Sequence, residues 1–215
     1  MVDNNSGTYW GGVTKNGGRI EFASDDGFFG YSLAGSYYQY RGDNVKKNSS
    51  YGLSAVAYVH PFKPTAYEDM TIGISLSYEN YDNNQNHFSF GHGGYFSPQN
   101  YLIAAIPFTY KLRNDKYDIA VDASLGYQTY VNDEADFFPG HDDLNKLAQT
   151  LNQSGLLKRA KYEREDESGV GGSIKANLDY YLLDDLVLGG QIGYSTFGEY
   201  KEMSEMLYIK SVLGE

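Results

Sequence analysis

Apolar and polar residues alternate along most of this chain with a period of two. From Asp69, Ile72, Ile74, Leu76 and Tyr78 fall on one side, and Thr71, Gly73, Ser75, Ser77 and Glu79 on the other. From Tyr117, Ile119, Val121, Ala123, Leu125 and Tyr127 oppose Asp118, Ala120, Asp122, Ser124, Gly126 and Gln128. From Gly169, Val170, Ile174, Ala176, Leu178 and Tyr180 oppose Ser173, Lys175, Asn177 and Asp179. From Leu186, Leu188, Ile192 and Tyr194 oppose Gln191, Gly193 and Ser195. Successive side chains of a strand point to opposite faces, so the pattern predicts β-strands with one apolar face and one small or polar face. Less regular strands are predicted at 8–14, 18–23, 28–40, 50–60, 101–112 and 204–213, about ten strands in all. Several are longer than the about 5–6 residues usual in soluble domains, and suit the about 9–11 tilted residues of a membrane strand. Pro107 falls inside one of them. It has no N–H to give to a ladder, so a bulge or an early strand end is expected there.

The connections alternate in length. Tight polar turns are expected at 24–27, 113–116 and 182–185, and an intermediate one at 60–68 with Pro61 and Pro64. Between them come 41–48, the long 82–100 and the longest, 132–168. Loops of that length are uncommon in compact domains unless functional. Within the longest, Leu144, Leu147, Leu151 and Leu156 predict one short helix near 142–157. The mixed charges of 158–167 predict a solvated stretch. Short turns at one rim and long loops at the other is the arrangement of outer-membrane barrels.

Alternation alone leaves open which face looks outward. A soluble barrel or sandwich turns its apolar face in, whereas a membrane barrel turns it out around a polar interior. Composition favours the second. The chain of 215 residues has 25 glycines, 22 tyrosines and no cysteine, against an average glycine usage of about 7%. The polar strand faces are rich in Gly, Ser and Ala, which fit a crowded interior. Tyrosines sit near strand ends (Tyr37, Tyr38, Tyr40, Tyr58, Tyr78, Tyr81, Tyr101, Tyr110, Tyr117, Tyr127, Tyr130, Tyr180, Tyr181 and Tyr194), as interfacial girdles do. No run of about 18 apolar residues predicts a transmembrane helix, and the polar start carries no signal peptide pattern. With 17 basic against 28 acidic residues and a net charge of −11, nucleic acid is not an expected partner.

One segment resembles a known family. Asn84-Gln85-Asn86-His87-Phe88-Ser89-Phe90-Gly91-His92-Gly93-Gly94-Tyr95-Phe96-Ser97-Pro98-Gln99 is similar to the pattern of the C-terminal outer-membrane barrel domain of the bacterial cellulose export porins encoded in cellulose synthase operons. The run from Gly93 to Gln99 is its most diagnostic part. Gly7-Thr8-Tyr9-Trp10-Gly11-Gly12-Val13-Thr14, Ile106-Pro107 and Ser124-Leu125-Gly126-Tyr127-Gln128 support it, and the likeness runs from about Gly7 to Gly198. The resemblance implies an outer-membrane channel through which a nascent β-1,4-glucan leaves the cell. It also implies a periplasmic scaffold and an inner-membrane cellulose synthase as partners, outer-membrane lipid as surroundings and no cofactor. The family barrel has about sixteen strands, within the range of bacterial barrels, and follows a helical-repeat scaffold. The about ten strands read here therefore imply the C-terminal part of a longer barrel. The whole of 1–215 is then one outer-membrane β-barrel domain.

Glucan export asks no catalysis of the channel. Aromatics stack on sugar-ring faces, while carboxylates and amides bond the hydroxyl rims. Glu79, Asp118, Asp122, Gln128, Lys175, Asn177 and Asp179 lie on the polar strand faces and are the expected interior contacts; the plainer reading is that they only hydrate an acidic interior. Gly93, Gly94, Tyr95, Phe96, Ser97, Pro98 and Gln99 form either a gate or plug, or a tight loop with glycines at positive φ and Tyr95 and Phe96 as a local core. His87, His92 and His141 have no recognised metal spacing. Asp118 and Asp122 stand about 13 Å apart by strand rise, too far for a glycosidase pair, and no Ser-His-Asp grouping appears. No enzyme, metal or catalytic residue is expected. The expected fold is all-β, an antiparallel transmembrane barrel with one short helix in a long loop. A soluble carbohydrate-binding or adhesin module and a small general porin remain the alternatives.

Overall fold

The structure, a computed structural model, describes residues 9–183 and 185–211. Gly7 and Thr8 of the supporting match, Asp184 of a predicted turn and the last two residues of the strand predicted at 204–213 lie outside them. The elements in chain order are β1 (Gly11–Asp25), β2 (Phe29–Asp43), β3 (Asn48–Val59), β4 (Glu68–Tyr81), β5 (Gln99–Arg113), β6 (Tyr117–Asn132), β7 (Ala135–Asp136), α1 (Asp142–Gln153), β8 (Lys161–Tyr162), β9 (Glu165–Leu183), β10 (Leu186–Ser195) and β11 (Glu202–Ser211). The fold is all-β with one short helix. Nine strands form one sheet in the order β1-β2-β3-β4-β5-β6-β9-β10-β11, and β7 and β8 make a two-residue ribbon. Every neighbouring pair is antiparallel.

The sheet is open. Because nine strands alternate in direction, β1 and β11 run the same way, and joining them would make a parallel seam in an otherwise antiparallel sheet.

Four expectations need correction. The strands predicted at 8–14 and 18–23 are one strand. Residues 14–18 break the apolar alternation, but Thr14 pairs with Arg41 and the ladder runs unbroken to Gly18 opposite Tyr37. Nine long strands therefore replace the ten. Pro107 makes neither a bulge nor an end. It faces Ser124 in an unshifted ladder with β6. On its other side the pairing passes from Ile72↔Phe108 to Ser75↔Ala105 in the same register. The irregularity in β5 lies instead between Gln99 and Leu102. The helix stops at Gln153 rather than near 157, because Gly155 takes φ +76° and the amides of Leu156 and Leu157 fold back to the Leu151 carbonyl. The longest loop is shorter than predicted, since β9 already begins at Glu165.

Register sorts the side chains onto two faces. Ile20, Phe22, Leu33, Leu53, Ile74, Leu76, Ile106, Leu125, Val170, Ile174, Leu178, Leu188, Ile192 and Leu207 share one face, and all are exposed, Ile74 at 68% and Val170 at 74%. No described element packs on that face. The tyrosines divide evenly: Tyr37, Tyr78, Tyr110, Tyr117, Tyr127, Tyr180 and Tyr194 stand with the apolar residues, and Tyr38, Tyr40, Tyr58, Tyr81, Tyr101, Tyr130 and Tyr181 stand on the polar face. One rim carries the short connections 26–28, 60–67 and 114–116; the other carries 44–47, 82–98, 133–164 and 196–201.

On the polar face, rings lie flat over glycines. A Cβ on Gly30 would sit 2.2 Å from the Tyr58 ring, and one on Gly189 2.0 Å from Tyr208. At the short-turn rim His60 ties three strands together. Its Nδ1 lies 2.7 Å from Asp69 and its Nε2 3.0 Å from Asp25, while Tyr58 donates to Asp25. Burial opposes the charge on His60, but the two carboxylates outweigh it and hold its pKa above the ordinary value. That stabilisation is present below the pKa of an unfolded histidine, and is lost as pH rises through the higher folded value.

Gly73 and Gly169 make a contrasting test. A Cβ at Gly73 would meet the Ala57 carbonyl oxygen at 2.2 Å, whereas at Gly169 nothing lies within 4 Å. Gly73→Ala is expected to lower stability by about 1–3 kcal/mol, and Gly169→Ala to leave it unchanged or slightly raised. Urea midpoints of the two variants in detergent check this.

Candidate functional site

The loop 82–98 leaves β4 with the amide run Asn83-Asn84-Gln85-Asn86 and folds onto the polar face of the sheet. Its side chains replace the ladder it lacks. The Gln85 amide donates to Ser97 Oγ at 2.6 Å, and Gln85 Oε1 accepts from the Gly93 amide at 2.9 Å. Asn86 Oδ1 accepts from the Ser97 amide at 2.6 Å, and Gln99 Nε2 donates to the Ser97 carbonyl at 2.9 Å. Gln85, His92, Ser97 and Pro98 are fully buried. Most of their polar atoms are bonded, Gln85 Nε2 and His92 Nδ1 being the exceptions, and the network fixes the loop in one shape. Gly91 and Gly94 take φ +97° and +67°, the left-handed region that glycine reaches without strain.

Tyr95 and Phe96 form no core of their own. Tyr95 stacks on Tyr40 with centroids 5.0 Å apart and its hydroxyl accepts from Asn48 Nδ2; Phe96 packs edge-on against Tyr101 and Tyr130. Each anchors the loop to a different part of the sheet. Burial pushes the Tyr95 hydroxyl up to about 12, against the bond from Asn48. Between this loop and the start of β1 lies a cavity of 560 Å³ lined by Trp10, Lys15, Tyr40, Phe88, His92 and Tyr95. The Lys15 ammonium sits 3.8 Å over the Tyr38 ring, a cation–π contact.

The other loops are latched to the first. Asn84 Nδ2 donates to the Asp133 carbonyl, Ser89 Oγ to the Phe137 carbonyl and His92 Nε2 to the Asp136 carbonyl, at 2.8, 2.7 and 2.9 Å. His87 stacks on Tyr162, centroids 3.5 Å apart, and Phe90 on His141 at 4.3 Å. Asn86 Nδ2 reaches Glu199 at 3.0 Å, and the Lys46 amide donates to the Gly91 carbonyl. Loops 44–47, 82–98, 133–164 and 196–201 thus form one cap. Among the described residues no group of three or more His, Cys, Asp or Glu is arranged to hold a metal.

The seven strand residues read as interior contacts all lie on the polar face, but at three levels. Glu79 and Gln128 stand near the long-loop rim. Gln128 is buried and used up: it accepts from Tyr101 and the Gly198 amide and donates to the Thr196 and Gly198 carbonyls. It anchors the cap rather than facing open space. Asp122 and Lys175 oppose each other at mid-height, in an 840 Å³ groove with Ser124, Ser173, Gly193 and Ser195. Asp118, Asn177 and Asp179 line a third cavity at the short-turn rim. Three carboxylates of this face are paired with cations. Asp118 faces Arg113 at 2.9 Å, Asp179 faces Lys210 at 2.7 Å, and Glu21 faces Arg19 at 3.3 Å. Sequence reasoning does not pick out Tyr40, Tyr81, Asn48, Gln85 and Asn86 as the anchors of a cap. The run of four consecutive amides after β4 is the available signal, because solvated loops seldom need so many side-chain bonds.

His92 makes the cap sensitive to acid. Burial pushes its pKa down to about 4, with the Asp136 carbonyl opposing. An unfolded histidine binds its proton near 6.5, so the neutral ring's contribution is complete above that pH and is lost as pH falls towards 4. Amide exchange in 85–97 is expected to accelerate across that window. His92→Gln should flatten the response, as hydrogen-exchange profiles at pH 7, 5.5 and 4.5 would show.

The sequence matches a family model described as Cellulose synthase operon protein C C-terminus over residues 1–214. It is 32% identical over 211 residues to the Cellulose synthase operon protein C of Pseudomonas fluorescens (strain SBW25), covering 97% of this chain and 16% of that protein. It is 30% identical to the protein of the same name from Xanthomonas axonopodis pv. citri (strain 306), covering 98% and 14%, and 29% identical to one from Komagataeibacter xylinus, covering 96% and 16%. The chain thus spans only a small part of the length of these relatives. A match over nearly its whole length, with the Gly93–Gln99 run holding the cap to the sheet, means that the chain belongs to the Cellulose synthase operon protein C C-terminus family.

Proposed function

We propose that this chain forms wall and cap of an outer-membrane conduit through which cellulose, or a similar exopolysaccharide, leaves a Gram-negative cell. One observation carries the reading: no described element covers the apolar face, and aromatic residues stand towards both ends of its strands. Tyr37, Tyr51, Tyr78, Tyr127 and Tyr194 lie on that face towards the long-loop ends of their strands, and Phe29, Tyr31, Tyr110, Tyr117 and Tyr180 towards the short-turn ends. From Tyr117 to Tyr127 is about 33 Å along a strand, or about 25 Å at the usual tilt, the height of the apolar band of an outer-membrane barrel. In water such a face far exceeds the few hundred Å² that soluble monomers leave bare.

The opposite face supplies the bore. Its Ser, Gly and charged side chains keep it wet, which suits an uncharged hydroxyl-rich polymer. The wall does no chemistry; it holds open a path and takes no cofactor. Closing the sheet antiparallel requires an odd number of further strands between β11 and β1, and the rest of the relatives' length is where they would come from. The same length would hold the periplasmic scaffold and its link to the inner-membrane synthase.

The absence of cysteine makes the test simple. Leu76→Cys and Leu125→Cys on the apolar face should resist a membrane-impermeant maleimide in proteoliposomes, while Ser75→Cys and Ser124→Cys should react. Equal reactivity, with a chain monodisperse in the absence of detergent, would overturn the membrane reading and favour a soluble sugar-binding module. Current across a planar bilayer should fall on adding cellohexaose; steady current indifferent to it would mark a general porin.

A further inference from the structure

Around the short-turn rim of the polar face one side-chain grouping occurs three times. Each is a carboxylate that accepts a tyrosine hydroxyl and faces a cation. Tyr58 donates to Asp25 at 2.9 Å beside His60, Tyr181 to Asp118 at 2.7 Å beside Arg113, and Tyr208 to Asp179 at 2.5 Å beside Lys210. A cavity of 370 Å³ opens along this rim, lined by Asp69, Lys111, Arg113, Asp118, Asn177 and Asp179. Two of the three groupings border it directly. The third reaches it through Asp69, the other partner of His60. The cap lies at the opposite rim and uses none of these residues.

We propose that this cavity is a saccharide subsite at the mouth of the conduit, taking glucosyl residues of a neutral β-linked chain before they enter the bore; it rests on the export reading above. A carboxylate offers about four lone-pair positions. On Asp179 the Tyr208 hydroxyl and the Lys210 ammonium take one bond on each oxygen and lock the rotamer, leaving further positions as acceptors for vicinal hydroxyls, whereas Asp118, held by Arg113 on both oxygens and by Tyr181, and Asp25, held by His60, Tyr58 and the Gly27 amide, brace the rim. Asn177 and Lys111 supply donors for hydroxyl and ring oxygens. Tyr67, 64% exposed at the cavity edge, offers an apolar ring face for stacking. The cations cancel the carboxylates, so the site gains nothing from a charged polymer and repels no neutral one. Its volume lies in the range of small-ligand pockets, about 300–1,000 Å³.

The test is calorimetric titration of cellohexaose into the 215-residue chain refolded in micelles, repeated with Asp179→Asn and Asn177→Leu. Binding should saturate, and each variant should weaken it about tenfold, the loss expected for one hydrogen bond to a charged group or an equivalent steric block. Hydroxyl-radical footprinting of the unmodified chain needs no variant to fold. Cellohexaose should protect Tyr67, Tyr181 and Tyr208 and leave Tyr95 unprotected. Protection confined to the cap, unchanged affinity in both variants, or no binding by a chain whose Leu76→Cys and Leu125→Cys forms are lipid-shielded would overturn the subsite. Rim protection in a chain that fails the thiol test would leave the subsite standing and remove the conduit.

Discussion

An apolar sheet face with nothing to cover it is the constraint on which the rest of this structure depends. Burying apolar area is worth about 25 cal/mol per Å², and here the chain supplies no second layer to collect it. The face must be satisfied from outside the chain, and every other feature follows. The opposite face has to stay polar yet crowded, which is why Ser, Gly and Ala recur there. Several of its charges are paired on the spot: Asp118 and Asp179 find cations one and two strands away, and Glu21 finds Arg19 on its own strand. The loops are held by their own side chains and by a small patch of buried rings beneath them, Tyr40, Tyr81 and Tyr130.

How much of this the sequence shows depends on how local each cause is. Alternation is a property of neighbouring residues, so the strands through Ile74, Leu125, Ile174 and Ile192 and the faces they present are legible directly. Continuity of β1 across residues 14–18 is not, because it rests on distant partners in β2, from Thr14 opposite Arg41 to Gly18 opposite Tyr37. Pro107 misleads for the same reason: the cost of its missing N–H is decided by which rung it vacates. The cap is the least legible part. Nothing in the local pattern marks Asn48, Asn84, Gln85 and Asn86 as anchors, yet Gln85 is fully buried and all four bond across gaps in sequence that no period records. Of the seven strand residues read as interior contacts, register places all on one face. Only three-dimensional packing separates Gln128, consumed by the cap, from Asp118, Asn177 and Asp179.

The two rims are fastened by opposite uses of histidine. At the short-turn rim His60 is held between two carboxylates and is strongest when charged. In the cap His92 is buried against a carbonyl and a second imidazole, and is strongest when neutral. Both rims are therefore sound together only over a middle range of pH. Acid loosens the loop end first, and base the turn end.

The rings laid over Gly30 and Gly189 have a consequence for anything that moves past them. A tyrosine that lies flat in a notch presents a broad, shallow surface parallel to the wall and gives a sliding chain no knob to catch. Were a glucan to take the proposed path, contact with such a wall would be made and lost gradually as it advanced by one sugar, giving a free-energy profile with low ripples. Those glycines would therefore act less on how tightly a glucan is held than on how little it is slowed.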